Sequence, residues 1–179
     1  MNKANYYLEL SIQHADLPLE DRLISHLSGG NLISDGGQWD MICNLLETYG
    51  VIPQALYPES LHSSLSSPLN ALLKTKLREQ ALILRRLSSS LRSQSSLSPD
   101  AILAMLRTKK EELMKEVYTI MTATLGEPPS PKDKFSWDYY TEDGKAGNWE
   151  GTPVEFYKAF SGKYSVSIWS HNKPSLLAY

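Results

Sequence analysis

Two long leucine-bearing stretches constrain the fold of this chain most. From Pro68, Leu69, Leu72, Leu73, Leu77, Leu84, Leu87 and Leu91 recur at helical spacing and form a broad apolar stripe. Lys74, Lys76, Arg78, Arg85, Arg86 and Arg92 decorate it. The second stretch opens with Ser98-Pro99-Asp100, a serine N-cap with proline in the first turn. Its apolar face is Ile102, Met105, Leu106, Leu113, Val117, Ile120 and Met121. Lys109-Lys110-Glu111-Glu112 is placed on its outer side, as i, i+3 and i+4 pairs. Gly126 followed by Pro128-Pro129 stops it. The serine-rich run from Ser88 to Ser98 reads as the connection, so the two stretches are expected to pack as a helical hairpin.

The part before this hairpin is built from shorter pieces. Tyr7, Leu8 and Ile12 give a first helical segment, broken by Asp16 to Pro18. A second helix is expected from about Glu20 to Leu27, ended by Ser28-Gly29-Gly30-Asn31. Then comes Asp35-Gly36-Gly37-Gln38-Trp39-Asp40-Met41. Adjacent glycines let the backbone adopt dihedrals closed to other residues and let another chain approach closely. Trp39, Ile42, Cys43 and Leu46 follow as one helix face, with Gly50 as its C-terminal cap. Tyr57-Pro58-Glu59-Ser60 reads as extended, because a residue before proline avoids the helical region. On pattern alone this is a tight turn before a core helix. The other reading is a loop that presents its backbone to a ligand.

The character changes after Pro131. Phe135, Trp137 and Tyr139 alternate with polar residues, as in a half-buried strand. Asp143-Gly144 marks a hairpin turn. Thr152-Pro153-Val154-Glu155 is a capping box that opens a short helix. A second strand is expected at Tyr164, Val166 and Ile168. The expected class is therefore α+β and mainly helical. Segment boundaries are placed near residues 60 and 130: 1–60 and 61–130 helical, and 131–179 short strands, a helix and a tail.

Few functions declare themselves through chemistry. The net charge of −2 argues against broad, charge-driven nucleic-acid binding. No run of about 18 apolar residues is present, so no membrane span is expected. The N-terminus lacks the apolar stretch of a secretion signal, and Cys43 is the single cysteine, which together point to a cytoplasmic protein. His14, His26, His62 and His171 share no metal-ligand spacing with one another or with Cys43. No metal and no cofactor are expected. Cys43 lies on the apolar face of its helix and reads as a small buried core residue.

The motifs themselves carry more than their patterns. Asp35 to Met41, Asn44-Leu45-Leu46-Glu47-Thr48-Tyr49-Gly50-Val51-Ile52-Pro53 and Tyr57-Pro58-Glu59-Ser60 resemble the bleomycin hydrolase family, called aminopeptidase C in bacteria. Asn5-Tyr6-Tyr7-Leu8, Arg78-Glu79, Leu125-Gly126-Glu127-Pro128-Pro129, Phe135-Ser136-Trp137-Asp138-Tyr139 and Thr152 to Tyr157 match in the same order. The resemblance covers about Asn5 to Tyr157 and is poor from Phe160 onward. It implies part of a papain-like cysteine peptidase: a remnant of the left helical domain with the diglycine loop, a helical-hairpin insertion, and the start of the β part.

In such enzymes the diglycine loop holds an extended substrate through main-chain groups. The resemblance therefore implies substrate binding at Gly36 and Gly37, with Gln38 and Trp39 shaping a side-chain pocket. The family's catalytic cysteine and oxyanion glutamine belong upstream of this chain, and its histidine and asparagine downstream. No catalytic role falls on any residue here, so the expectation is a truncated peptidase with no activity alone. The resemblance implies a peptide substrate and a homo-hexamer. Two alternatives remain open at this point. One is a non-catalytic binding or subunit protein, with weak nucleic-acid contacts through Arg78, Arg85, Arg86 and Arg92. The other is an unstable gene fragment.

Overall fold

A computed structural model of the chain describes residues 1–29, 37–94 and 96–161. The chain divides into two compact units, each drawn from two stretches of sequence. One combines Met1–Gly36 with Glu59–Glu127; the other combines Gly37–Pro58 with the chain from Pro128 onward.

The first unit holds α1 (Asn2–Gln13), α2 (Arg22–Leu27), α4 (Leu61–Ser64), α5 (Ser67–Arg92) and α6 (Pro99–Leu125). The α5–α6 hairpin forms as expected, and α1 packs on both its helices. The stripe on α5 is narrower than leucine positions alone suggest, and it includes polar residues. It runs through Leu69, Leu73, Leu77, Gln80, Ala81, Leu84, Ser88 and Leu91, all buried. Leu72 falls off this line and is 50% exposed. Met105 is likewise exposed on α6.

Two features of this unit correct the sequence reading. The serine-rich run is not all loop: α5 continues to Arg92 and takes in Ser88, Ser89 and Ser90. Ser88 is four residues after Leu84 and three before Leu91, so it lies on the buried stripe, and packing outweighs weak helix propensity. Lys110 is also not on the outer side. It turns inward to α1, where its Nζ lies 2.6 Å from Glu9 Oε2. Arg107 reaches the other oxygen of the same carboxylate at 2.6 Å. Only Lys109 and Glu112 form the expected outward i, i+3 pair, at 2.7 Å. The ends of α6 agree with their sequence signals. Ser98 accepts a hydrogen bond from the Ala101 N–H, and the Gly126 N–H closes on the Thr122 carbonyl.

The second unit holds α3 (Trp39–Tyr49), β1 (Phe135–Tyr140), β2 (Ala146–Gly151) and α7 (Pro153–Ser161). β1 and β2 pair antiparallel, with Trp137 opposite Trp149 and Tyr139 opposite Gly147. The partner of β1 is therefore Ala146–Gly151; the strand expected at Tyr164 to Ile168 lies outside the described residues. Alanine, two glycines, asparagine and glutamate hide β2 from a propensity reading. Gly147 has a packing reason for its lack of a side chain. A Cβ there would lie 2.7 Å from Tyr139 Cζ, so the tyrosine ring covers the glycine.

Aromatic rings hold the hairpin to α7. Phe156 is buried, with its ring 4.9 Å from Trp149, 5.6 Å from Phe135 and 5.7 Å from Trp137. The capping box forms in both directions: Glu155 Oε2 accepts from the Thr152 N–H at 2.8 Å, and Thr152 Oγ1 accepts from the Glu155 N–H. That bond from the Thr152 backbone holds the Glu155 carboxyl below the ordinary carboxylate range. Among the described residues the fold is mainly helical, with one two-stranded sheet. No helix among them is long and apolar enough to cross a membrane.

Candidate functional site

The diglycine segment sits at the entry to α3. Gly36 lies outside the described residues. Gly37 and Gln38 are both exposed. Gln38 is the N-cap residue, with φ −82° and ψ 154°, and its side chain makes no capping bond. The backbone thus enters α3 extended, and the Met41 N–H donates to the Gln38 carbonyl at 3.1 Å. Trp39 is the first helical residue and is 53% exposed. Gly37, Gln38 and Trp39 follow one another as exposed residues, with the backbone extended at Gln38 and a large aromatic opening the helix.

The helix behind them differs from the expected core helix. No residue of α3 is buried. Trp39 and Ile42 are exposed, while Cys43 and Leu46 are half-buried. Met41, Leu45 and Tyr49 add further exposed apolar surface. Cys43 is thus a half-buried thiol in mid-helix rather than a core residue. The expectation failed because helical spacing identifies an apolar face without saying how much of it another element covers. Here α3 packs on α7, a helix of only nine residues.

What fixes α3 is its far end. Gly50 closes the helix with φ 71°, and its N–H donates to the Leu46 carbonyl at 2.9 Å. The next residue ties the helix to α7, where the Val51 N–H donates to the Pro153 carbonyl at 3.1 Å. Sequence reasoning found the glycine cap but not this contact, which joins residues a hundred positions apart.

The arginines of α5 also have unexpected occupations. Arg78 donates from Nε and Nη2 to the Ser28 carbonyl, at 2.9 and 2.8 Å. Arg85 donates to the His14 carbonyl at 3.0 Å and also to the Leu17 carbonyl. Both guanidiniums hold backbone at the ends of α1 and α2. Nothing in local sequence signals these pairings.

No group of three or more His, Cys, Asp or Glu side chains among the described residues is placed to hold a metal ion. His171 lies outside those residues.

Comparisons with known proteins place this geometry in context. The Peptidase C1-like family model matches residues 1–174. That match continues past Phe160, where the motif likeness fades. Aminopeptidase C of Listeria innocua serovar 6a is 37% identical over 161 residues, covering 89% of this chain and 33% of that protein. Cysteine proteinase 1, mitochondrial, of Saccharomyces cerevisiae is 35% identical over 163 residues, covering 90% of this chain and 32% of that protein. The crystal structure of PepW from Lactobacillus rhamnosis HN001 matches with a TM-score of 0.76 at 37% identity, over 89% of this chain and 33% of that one. The chain spans about a third of the length of the curated relatives it matches. Those relatives include the aminopeptidase C that the motifs from Asn5 to Tyr157 resemble. The chain belongs to the Peptidase C1-like family.

Proposed function

We propose that this chain supplies the substrate-holding wall of a papain-like, cysteine-type aminopeptidase, and that it hydrolyses nothing by itself. The observation that carries this reading is the exposure of Gly37 and Gln38, with extended backbone at Gln38, in a chain whose relatives are named aminopeptidase C and cysteine proteinase. An extended peptide pairs with main-chain groups as an added strand does, and side-chain pockets beside it supply selectivity. Gly36 and Gly37 hold the peptide backbone; Gln38 and Trp39 shape the neighbouring pocket.

The chemistry of a cysteine peptidase needs a thiolate that attacks the carbonyl, a histidine that moves the proton and an oxyanion hole. Cys43 does not serve as the nucleophile in this reading. It is half-buried in the middle of α3, several residues beyond the proposed substrate wall. The direct test is release of fluorophore from an aminoacyl amide by the purified chain. No turnover is expected. Turnover that Cys43→Ser abolishes would overturn the reading.

The same reading carries a cytoplasmic setting and self-association into a homo-hexamer. Sedimentation of the purified chain tests the second part, and a lone monomer at all concentrations would remove it.

A further inference from the structure

We propose that Glu155 is a positioning residue for α3, the helix that presents Gly37, Gln38 and Trp39; this rests on the reading of those residues as substrate wall. All the parts lie within the second unit. α3 buries none of its own residues, so side-chain packing contributes little to where it lies. Its firm attachment is backbone to backbone, at its C-terminal end. The Val51 N–H donates to the Pro153 carbonyl at 3.1 Å, and a Cβ on Gly50 would collide with that same carbonyl. The end of α3 is therefore seated on Pro153, the buried first residue of α7.

Glu155 holds that seat in place. Its Oε2 accepts the Thr152 N–H at 2.8 Å, and Thr152 Oγ1 accepts the Glu155 N–H at 3.3 Å. The Thr152 carbonyl accepts from the Phe156 N–H at 2.9 Å. These three bonds close the turn that contains Pro153 and so fix the direction in which its carbonyl points. Phe156, buried against Phe135, Trp137 and Trp149, ties the same turn to the β-hairpin. Glu155 itself is exposed and makes no proposed contact with substrate. It acts through Pro153 and Val51. The leverage is large, because α3 has 11 residues and its two ends lie about 16 Å apart. A swing of about 10° at the seat carries the substrate-facing end about 3 Å, enough to break main-chain hydrogen bonds to an extended peptide. A glutamine in place of Glu155 keeps an accepting oxygen and loses the charge; an alanine loses both.

The test follows hydrogen exchange of single amides by NMR in the full chain, for wild type, Glu155→Ala, Glu155→Gln and Lys158→Gln, together with the affinity of each for the pentapeptide Ala-Leu-Ala-Leu-Ala. Glu155→Ala should speed exchange of the Val51 amide by roughly fivefold, the loss expected of a helix cap, and weaken peptide binding by a similar factor. Amides of β1 and β2 should exchange as in wild type. Glu155→Gln should restore both the Val51 amide and the affinity, because its amide oxygen takes over the Thr152 N–H. Lys158→Gln, an exposed change on the same helix, should move neither. Where wild type binds the peptide, an unchanged Val51 amide or an unchanged affinity in Glu155→Ala would overturn the proposal. So would equal acceleration across β1, β2 and α7 in that variant, the mark of a merely structural role, or a Glu155→Gln that loses as much as Glu155→Ala. A Val51 amide that responds as expected in a chain whose wild type binds no peptide would sink the substrate-wall reading and leave Glu155 as the residue that positions α3.

Discussion

A Cβ on Gly50 would lie 2.1 Å from the carbonyl carbon of Pro153. No side chain fits there, and the positive φ of Gly50, 71°, disfavours one even in open space. Gly50→Ala should therefore destabilise the second unit by about 3 kcal/mol, from backbone strain and overpacking together. Trp39, Trp137 and Trp149 belong to that unit, and the first unit's sequence contains no tryptophan. Tryptophan fluorescence during urea unfolding thus reads this unit selectively. An unchanged fluorescence midpoint would show that the Gly50–Pro153 contact is not close in solution.

Glu9 contributes to the pH dependence of the first unit. Burial alone would raise its carboxyl, but hydrogen bonds from Lys110 and Arg107 outweigh burial, and the net shift is below the ordinary 4.5. A depressed carboxylate contributes stability above its unfolded value and loses it as pH falls through the lower folded value. Glu9→Gln should cost about 2 kcal/mol at neutral pH, since it leaves the inward Lys110 unpaired. The gap to wild type should close as pH falls below 4.5. Helix melting by circular dichroism across that range checks this, and a gap constant with pH would contradict it.

Gln80 is the polar exception in the core. Its Nε2 donates to the Leu113 carbonyl at 3.0 Å and to Glu116 Oε2 at 3.1 Å, while its buried Oε1 has no partner. An unsatisfied buried acceptor offsets much of what the two bonds contribute. Gln80→Met should therefore stay within about 1 kcal/mol of wild type. Leu77→Ala, one turn away in the same core, should cost roughly 2 to 5 kcal/mol. Equal losses in the two variants, measured by denaturant melts, would mean that the Gln80 bonds fix the hairpin register.

The legible parts of this fold are those written in local chemistry. The α5–α6 hairpin followed from leucine spacing, and Ser98, Gly126, Gly50 and the Thr152–Glu155 box marked helix ends where the structure has them. What escaped depends on partners far away in sequence. Lys110 looked like one of four surface charges until Glu9 was placed beneath it. β2 is poor in strand formers because the rings of Tyr139 and Trp149 fill the space above its glycines. The α3 face was visible, but its exposure was not, since amphipathic spacing does not reveal how small the covering element is. At the site, Gly36, Gly37, Gln38 and Trp39 were singled out by motif likeness. Their pattern alone favoured a plain turn.

The central claim is that the backbone at Gly36, Gly37 and Gln38 holds an extended peptide. Titrating an unlabelled extended peptide into the nitrogen-15-labelled chain and following amide shifts by NMR tests it most directly. The account predicts saturable shifts that are largest at Gly36, Gly37, Gln38 and the Trp39 indole. Shifts confined to other residues, or none at saturating peptide, would contradict it.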